Sequence, residues 1–160
     1  MSKISDIEWN MNIAIEQAML ASKLGEVPVG AVVVDGNNKM VSQAHNLKEM
    51  SNRSHAHAEI LALEQAAKIN DNWRLTDHSL FVTLEPCPMC MHALLQYRIK
   101  KLYFAAYDPK GGSLSLGYPI GFDKRLNHQL EIQGGILHYK ASELLSVFFK
   151  QRRNEYKISK

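Results

Sequence analysis

At 160 residues the chain suits one domain, residues 1–160, with a single core. Hydrophobic residues at 46% and charged residues at 22% exclude disordered, collagen-like and fibrous classes. No run reaches the roughly 20 apolar residues that span a bilayer, and Met1 to Glu8 is polar, so neither membrane insertion nor Sec-type export is expected. A net charge of +3 permits an anionic partner without requiring one.

Ser5-Asp6-Ile7-Glu8 has the form of a capping box, and Ile7, Met11, Ala14, Ile15 and Ala18 follow at helical spacing, predicting a helix to about Lys23. Ala31–Val34, the turn Asp35-Gly36-Asn37-Asn38 and Met40–Ala44 read as a β-hairpin. Ala56 to Lys68 reads as a helix with Ser54 as its cap. Leu80–Leu84 is a continuous apolar run, the mark of a strand covered on both faces. Pro86 and Pro88 stop that strand and suit the first turn of a helix from Met89 to about Tyr97.

Leu102–Ala106 is a further buried strand, and Tyr107 to Asn127 a long surface loop of the kind that carries function. Leu130-Glu131-Ile132 adds an edge strand, and Ser142 to about Tyr156 a closing helix. Strands alternating with helices predict an α/β class in three layers, helices on both faces of a central sheet of about five strands with some parallel pairing.

The two cysteines, Cys87 and Cys90, make no secreted disulfide framework and point to a reducing compartment with a metal or redox role. Three apart at a helix start, they can turn both sulfurs toward one point, where the helix terminus favours the thiolate form. His57-Ala58-Glu59 falls at another helix start, and a two-residue separation works only near such an end. If His57 joins the two thiolates, three ligands and an open tetrahedral position describe a catalytic zinc, with Glu59 free to move protons. Two other readings stay open: a redox dithiol, or half of a structural zinc site closed by His45, His55, His78, His92 or His128.

Together, His57-x-Glu59 and Pro86-Cys87-x-x-Cys90 resemble the signature of the cytidine deaminase superfamily. Over nearly its whole length the chain resembles the bacterial tRNA-specific adenosine deaminase family. The matching residues are Glu26–Val32, Asn46, Ala56–Ile60, Val82–Cys87, Asp108, Asn127-His128, Gly135–Leu137, Leu144-Leu145, Phe148-Phe149 and Arg152-Arg153. The resemblance implies a cytidine deaminase-like fold and hydrolytic conversion of the wobble adenosine of a tRNA anticodon loop to inosine. It also implies a cytoplasmic homodimer with one Zn2+ per subunit.

By the same resemblance His57, Cys87 and Cys90 hold zinc, Glu59 shuttles protons, and Val29, Asn46 and Ala58 shape the nucleoside pocket. Asp108 and Asn127 would meet flanking nucleotides, while Phe148, Phe149, Arg152 and Arg153 would supply stacking faces and cations for single-stranded RNA. As the plainer alternatives, Asn46 would end the second strand, Asp108 before Pro109 would open a turn, and the last helix would pack Phe148 on the core with a solvated basic face.

After Asp108 the family shows a Lys followed by Gly-Ala-rich residues, whereas here the run is Pro109-Lys110-Gly111-Gly112-Ser113-Leu114-Ser115, with Lys110 preserved. Pro88-Met89 also occurs in guanine deaminases, so a guanine or nucleoside deaminase acting on a free small molecule is the competing reading, and a noncatalytic RNA-binding subunit is another.

Overall fold

The computed structural model describes the backbone of residues 4–159 and the side chains of residues 6–159. Its chain order is α1 (Ile4–Lys23), β1 (Gly30–Val34), β2 (Met40–His45), α2 (Lys48–Ser51), α3 (Ala58–Ile69), β3 (Ser79–Leu84), α4 (Pro88–Gln96) and β4 (Lys101–Ala106). A 3-10 turn (Ile120–Phe122), β5 (Glu131–Gly134) and α5 (His138–Ile158) complete it. Ser5 lies inside the first turn of α1, and its side chain, with the expected cap, falls outside the described residues.

The hairpin forms where expected. Asp35 Oδ1 accepts the amides of Asn37 and Lys39, both at 2.9 Å, and Asn38 takes the left-handed conformation (φ 62°) that Asn tolerates. The sheet order is β2-β1-β3-β4-β5. β1 is antiparallel to β2 and β3, whereas β3, β4 and β5 run parallel. The sheet is therefore mixed, and β2, β3 and β4 all end at one edge.

Alternation along the strands divides the core in two. Ala31, Val33, Leu80, Val82, Leu102 and Phe104 meet Ala62, Leu63 and Ala66 of α3 and Met91, Leu94 and Leu95 of α4 on one face. Val32, Val34, Phe81 and Tyr103 meet Met11, Ala14 and Ile15 of α1 and Ala141 of α5 on the other. All five residues of β1 are buried, as a central strand requires, while β5 at the edge alternates between exposed and half-buried. α1 lies so close to β1 that a Cβ on Gly30 would stand 2.0 Å from the Ala14 carbonyl oxygen, so only glycine fits there. The predicted three-layer α/β/α arrangement is present.

Two helix starts and one additional short helix differ from the sequence expectation. α3 begins at Ala58, so Ser54 is not its cap. α5 begins at His138, four residues before Ser142, because Leu137 in a left-handed conformation (φ 54°) turns the chain into the helix. α2 carries no periodic pattern and is not expected from the sequence; Glu26 Oε1 accepts its Met50 amide at 2.8 Å.

Candidate metal centre

Two helix N-termini converge at the edge where β2, β3 and β4 end. His57 is the extended residue before α3 (φ −78°, ψ 150°) and Cys87 the extended residue before α4 (φ −67°, ψ 167°). Neither side chain caps its own helix, so both are free to face each other. Pro88 occupies the first turn of α4, where its missing N–H is no loss. Cys90 follows one turn after Cys87 and is fully buried.

His57 Nδ1 lies 3.8 Å from Cys87 Sγ and 3.5 Å from Cys90 Sγ, and the three donor atoms are mutually within 4.8 Å. Tetrahedral zinc with ordinary Zn–S and Zn–N bonds separates such atoms by about 3.5–3.8 Å, so the donor set and its spacing fit zinc. Among the described residues this is the one cluster of histidine, cysteine or acidic side chains that could hold a metal.

The remaining histidine candidates have other places. His45 pairs with Gln17 (2.9 Å), His78 with Asn70 (2.7 Å), His92 with Gln96 (3.0 Å) and His128 with the Ile99 carbonyl (2.7 Å). His55 is exposed and stands outside the cluster.

The electrostatics of the cluster are those of a ligand set. A hydrogen bond from the Cys90 thiol holds Cys87 at about 4, so Cys87 is a thiolate at neutral pH. Cys90 is pushed upward by that same bond and by burial. The bond with Cys87 raises His57 against the opposite pull of burial. Glu59, the second residue of α3, is only 4% exposed, and burial lifts its carboxyl to about 7.

Around the cluster, Ala58 is fully buried and Val29 nearly so. Asn46 Oδ1 accepts the Ala58 amide at 2.9 Å, and Asn46 Nδ2 donates to the Val27 carbonyl at 3.2 Å. Asn46 thus does what a capping side chain does, from twelve residues upstream. Asp108, Phe149 and Arg153 come together with Val27, Tyr107 and Lys110 around a cavity of about 600 Å³. A neighbouring cavity of about 440 Å³ is lined by Asn46, Lys48, Phe148 and Arg152 and shares Val27 with the first.

Phe148 is buried, and the Arg152 guanidinium sits 5.3 Å from its ring while donating to the Gly25 carbonyl. Packing and basic exposure therefore coexist on α5. Asn127 is not brought to the cluster: its Oδ1 accepts from Arg98 Nη1 at 2.9 Å, beyond the end of α4 opposite Cys87. Tyr107 and Lys48 stand outside the matched runs, and Val27, although inside Glu26–Val32, is not among the expected pocket residues; all three line these cavities. A larger cavity of about 750 Å³ between the hairpin turn and Asp77–Ser79 lies at the other end of the sheet, away from the cluster.

Residues 4–153 match the family model of the MafB19-like deaminases, which defines the class. The tRNA-specific adenosine deaminase of Haemophilus influenzae is 45% identical over 153 residues, covering 96% of this chain and 88% of that one. That of Bacillus subtilis is 42% identical over 153 residues, covering 96% and 94%. A structure solved in a study of A-to-I editing by tRNA:A34 deaminases superposes with a TM-score of 0.81 at 34% identity, over 85% of this chain and 98% of that chain. The chain belongs to the tRNA-specific adenosine deaminase family.

Proposed function

We propose that this chain catalyses hydrolytic deamination of the wobble adenosine in a tRNA anticodon loop, with water entering at C6 and ammonia leaving to give inosine. The observation that carries this reading is the cluster of His57, Cys87 and Cys90 at two helix starts with buried Glu59 in the adjoining turn. Cys87, Cys90 and His57 would hold the ion; when bound, zinc supplies Lewis-acid activation of a water molecule at neutral pH.

The protein's own part is proton handling and positioning. A carboxyl near 7 can both accept and return a proton at neutral pH, so Glu59 takes the proton of the attacking water and delivers it to N1 of adenine. It then serves the departing amino group. Asn46, Val29 and Ala58 hold the nucleoside, with Asn46 also fixing the start of the helix that carries Glu59.

The cavity lined by Asp108, Lys110, Phe149 and Arg153 combines an aromatic face with cations, the pairing that grips splayed single-stranded bases and their phosphates. We assign the working form as a homodimer with one zinc per subunit, acting on tRNA in the cytoplasm; among the described residues no helix is long and apolar enough to cross a membrane. Sedimentation in dilute solution reads the dimer directly, and monomer alone would count against it.

The decisive experiment is nucleoside analysis of an unmodified tRNA transcript with a wobble adenosine after incubation with zinc-loaded protein. Inosine with the intact chain and none with Glu59→Ala is the expected result. Loss of amino groups from guanine or free nucleosides, with the transcript untouched, would replace this reading by a small-molecule deaminase.

A further inference from the structure

Glu85 is a buried carboxylate that the reaction above does not use. It is 2% exposed, and among the described residues no lysine or arginine forms an ion pair with it. Burying a carboxylate without a cation is costly unless hydrogen bonds replace water, and here one loop supplies them. Glu85 Oε2 accepts the Asp108 amide at 3.0 Å and the Ser115 hydroxyl at 2.5 Å, while Oε1 accepts the Ser115 amide at 2.8 Å.

One further contact fixes the same loop to the same segment: the Ser113 amide donates to the Pro86 carbonyl at 2.8 Å, while the Glu85 amide, donating to the Ala106 carbonyl at 2.8 Å, continues the β3–β4 ladder. Gly112 lies flat on the carboxylate: a Cβ there would stand 2.3 Å from Glu85 Cδ, so any other residue would displace either the carboxylate or the loop. Ser113 and Ser115 belong to the run that departs from the family's Gly-Ala-rich pattern. Of the donors to Glu85, the Ser115 hydroxyl is the one that depends on residue type; the Asp108 and Ser115 amides would be offered by any non-proline residue.

Glu85 is also two residues from Cys87 on one strand-to-helix segment, and the held loop presents Asp108, Lys110 and Gly111 to the 600 Å³ cavity. We propose that Glu85 is a positioning residue whose buried carboxylate holds the Asp108–Ser115 loop as the RNA-binding wall of that cavity, at a set distance from the metal cluster. One side chain thus keeps the register between the bound strand and the reacting base. The proposal rests on the wobble-deamination reading and adds to it the element that aligns the RNA.

Glu85→Gln tests it, because an amide in either orientation leaves at least one backbone N–H of Asp108 or Ser115 without an acceptor. With an anticodon stem-loop as substrate, KM should rise about tenfold while kcat stays within about threefold. Zinc content should be unchanged, and amide hydrogen exchange at Asp108 and Ser115 should accelerate. Ser115→Ala, which removes only the hydroxyl bond, should raise KM by about threefold and covers the case in which Glu85→Gln does not fold.

Wild-type KM in either folded variant would overturn the proposal. So would loss of zinc and kcat at unchanged KM, which would make Glu85 a support of the metal cluster instead. Intact protein that leaves the stem-loop unedited would sink the underlying reading; the exchange rates at Asp108 and Ser115 would then still decide whether Glu85 holds the loop.

Discussion

The Ala58 amide donates to Asn46 Oδ1 at 2.9 Å, so the residue that follows β2 also caps the helix carrying Glu59. His57 supplies no cap of its own, which leaves it available to the metal cluster. Asn46→Ala removes both the cap and the tie to Val27, and losing a cap costs about 1 kcal/mol. For a chain of this size Tm should fall by about 2–4 °C. Asn46→Asp keeps the cap acceptor and loses the donor to Val27, so in thermal unfolding its Tm should fall less than that of Asn46→Ala while kcat/KM still drops. Full activity in Asn46→Asp would reduce Asn46 to a cap.

Glu59 is stabilised in its protonated form by burial, with a carboxyl at about 7 where an unperturbed one stands near 4.5. The stability this group contributes is therefore fully present below about pH 4.5 and is lost as pH rises through about 7. The difference is on the order of 3 kcal/mol. Metal-free Glu59→Gln should match the metal-free parent at about pH 4 and exceed it by that order at about pH 8, as urea unfolding would measure. The same substitution should abolish deamination, which makes Glu59 a group that costs stability at working pH in return for function. Equal stabilities of the two proteins at both pH values would contradict a buried carboxyl.

Much of this was legible because the signals are local. The turn residues Asp35 to Asn38 announce the hairpin, the run Leu80–Leu84 announces a strand buried on both faces, and Pro88 after Cys87 sets two sulfurs on the first turn of a helix. What was not legible depends on partners distant in sequence. The start of α3 is set by Asn46 rather than Ser54, and the four residues of α2 are held by Glu26. Asn127 is drawn to Arg98, and Glu85 shows its loop-holding geometry only once Ser115 has folded back onto it.

The two arginines near the end of α5 should separate experimentally. Arg153 lines the cavity with Phe149, whereas Arg152 donates to the Gly25 carbonyl and lies over Phe148. Arg153→Glu should weaken binding of an anticodon stem-loop and reduce the magnitude of its log–log salt slope by about 0.7 for one lost phosphate contact, at unchanged Tm. Arg152→Glu should weaken binding too and lower Tm as well, since it breaks a tie between α5 and the turn after α1. Zinc content should stay constant in both. Unchanged RNA binding in Arg153→Glu would refute a phosphate contact there.

The metal cluster predicts how ion removal and thiol replacement act. At neutral pH Cys87 is a thiolate while Cys90 retains its proton, so metal uptake must release the Cys90 proton. Calorimetric zinc titrations in buffers of different ionisation enthalpy should therefore show proton release that persists on the alkaline side of neutrality, where Cys90 still holds its proton. Cys90→Ser replaces a buried sulfur by a poorer ligand and should drop zinc content, measured by atomic absorption, from about one per chain toward zero. Because an ion held by the folded state adds stability by mass action, chelation should lower Tm in the parent and leave Cys90→Ser unchanged. A parent whose Tm is indifferent to chelator, or a serine variant that keeps its zinc, would remove Cys90 from the ligand set.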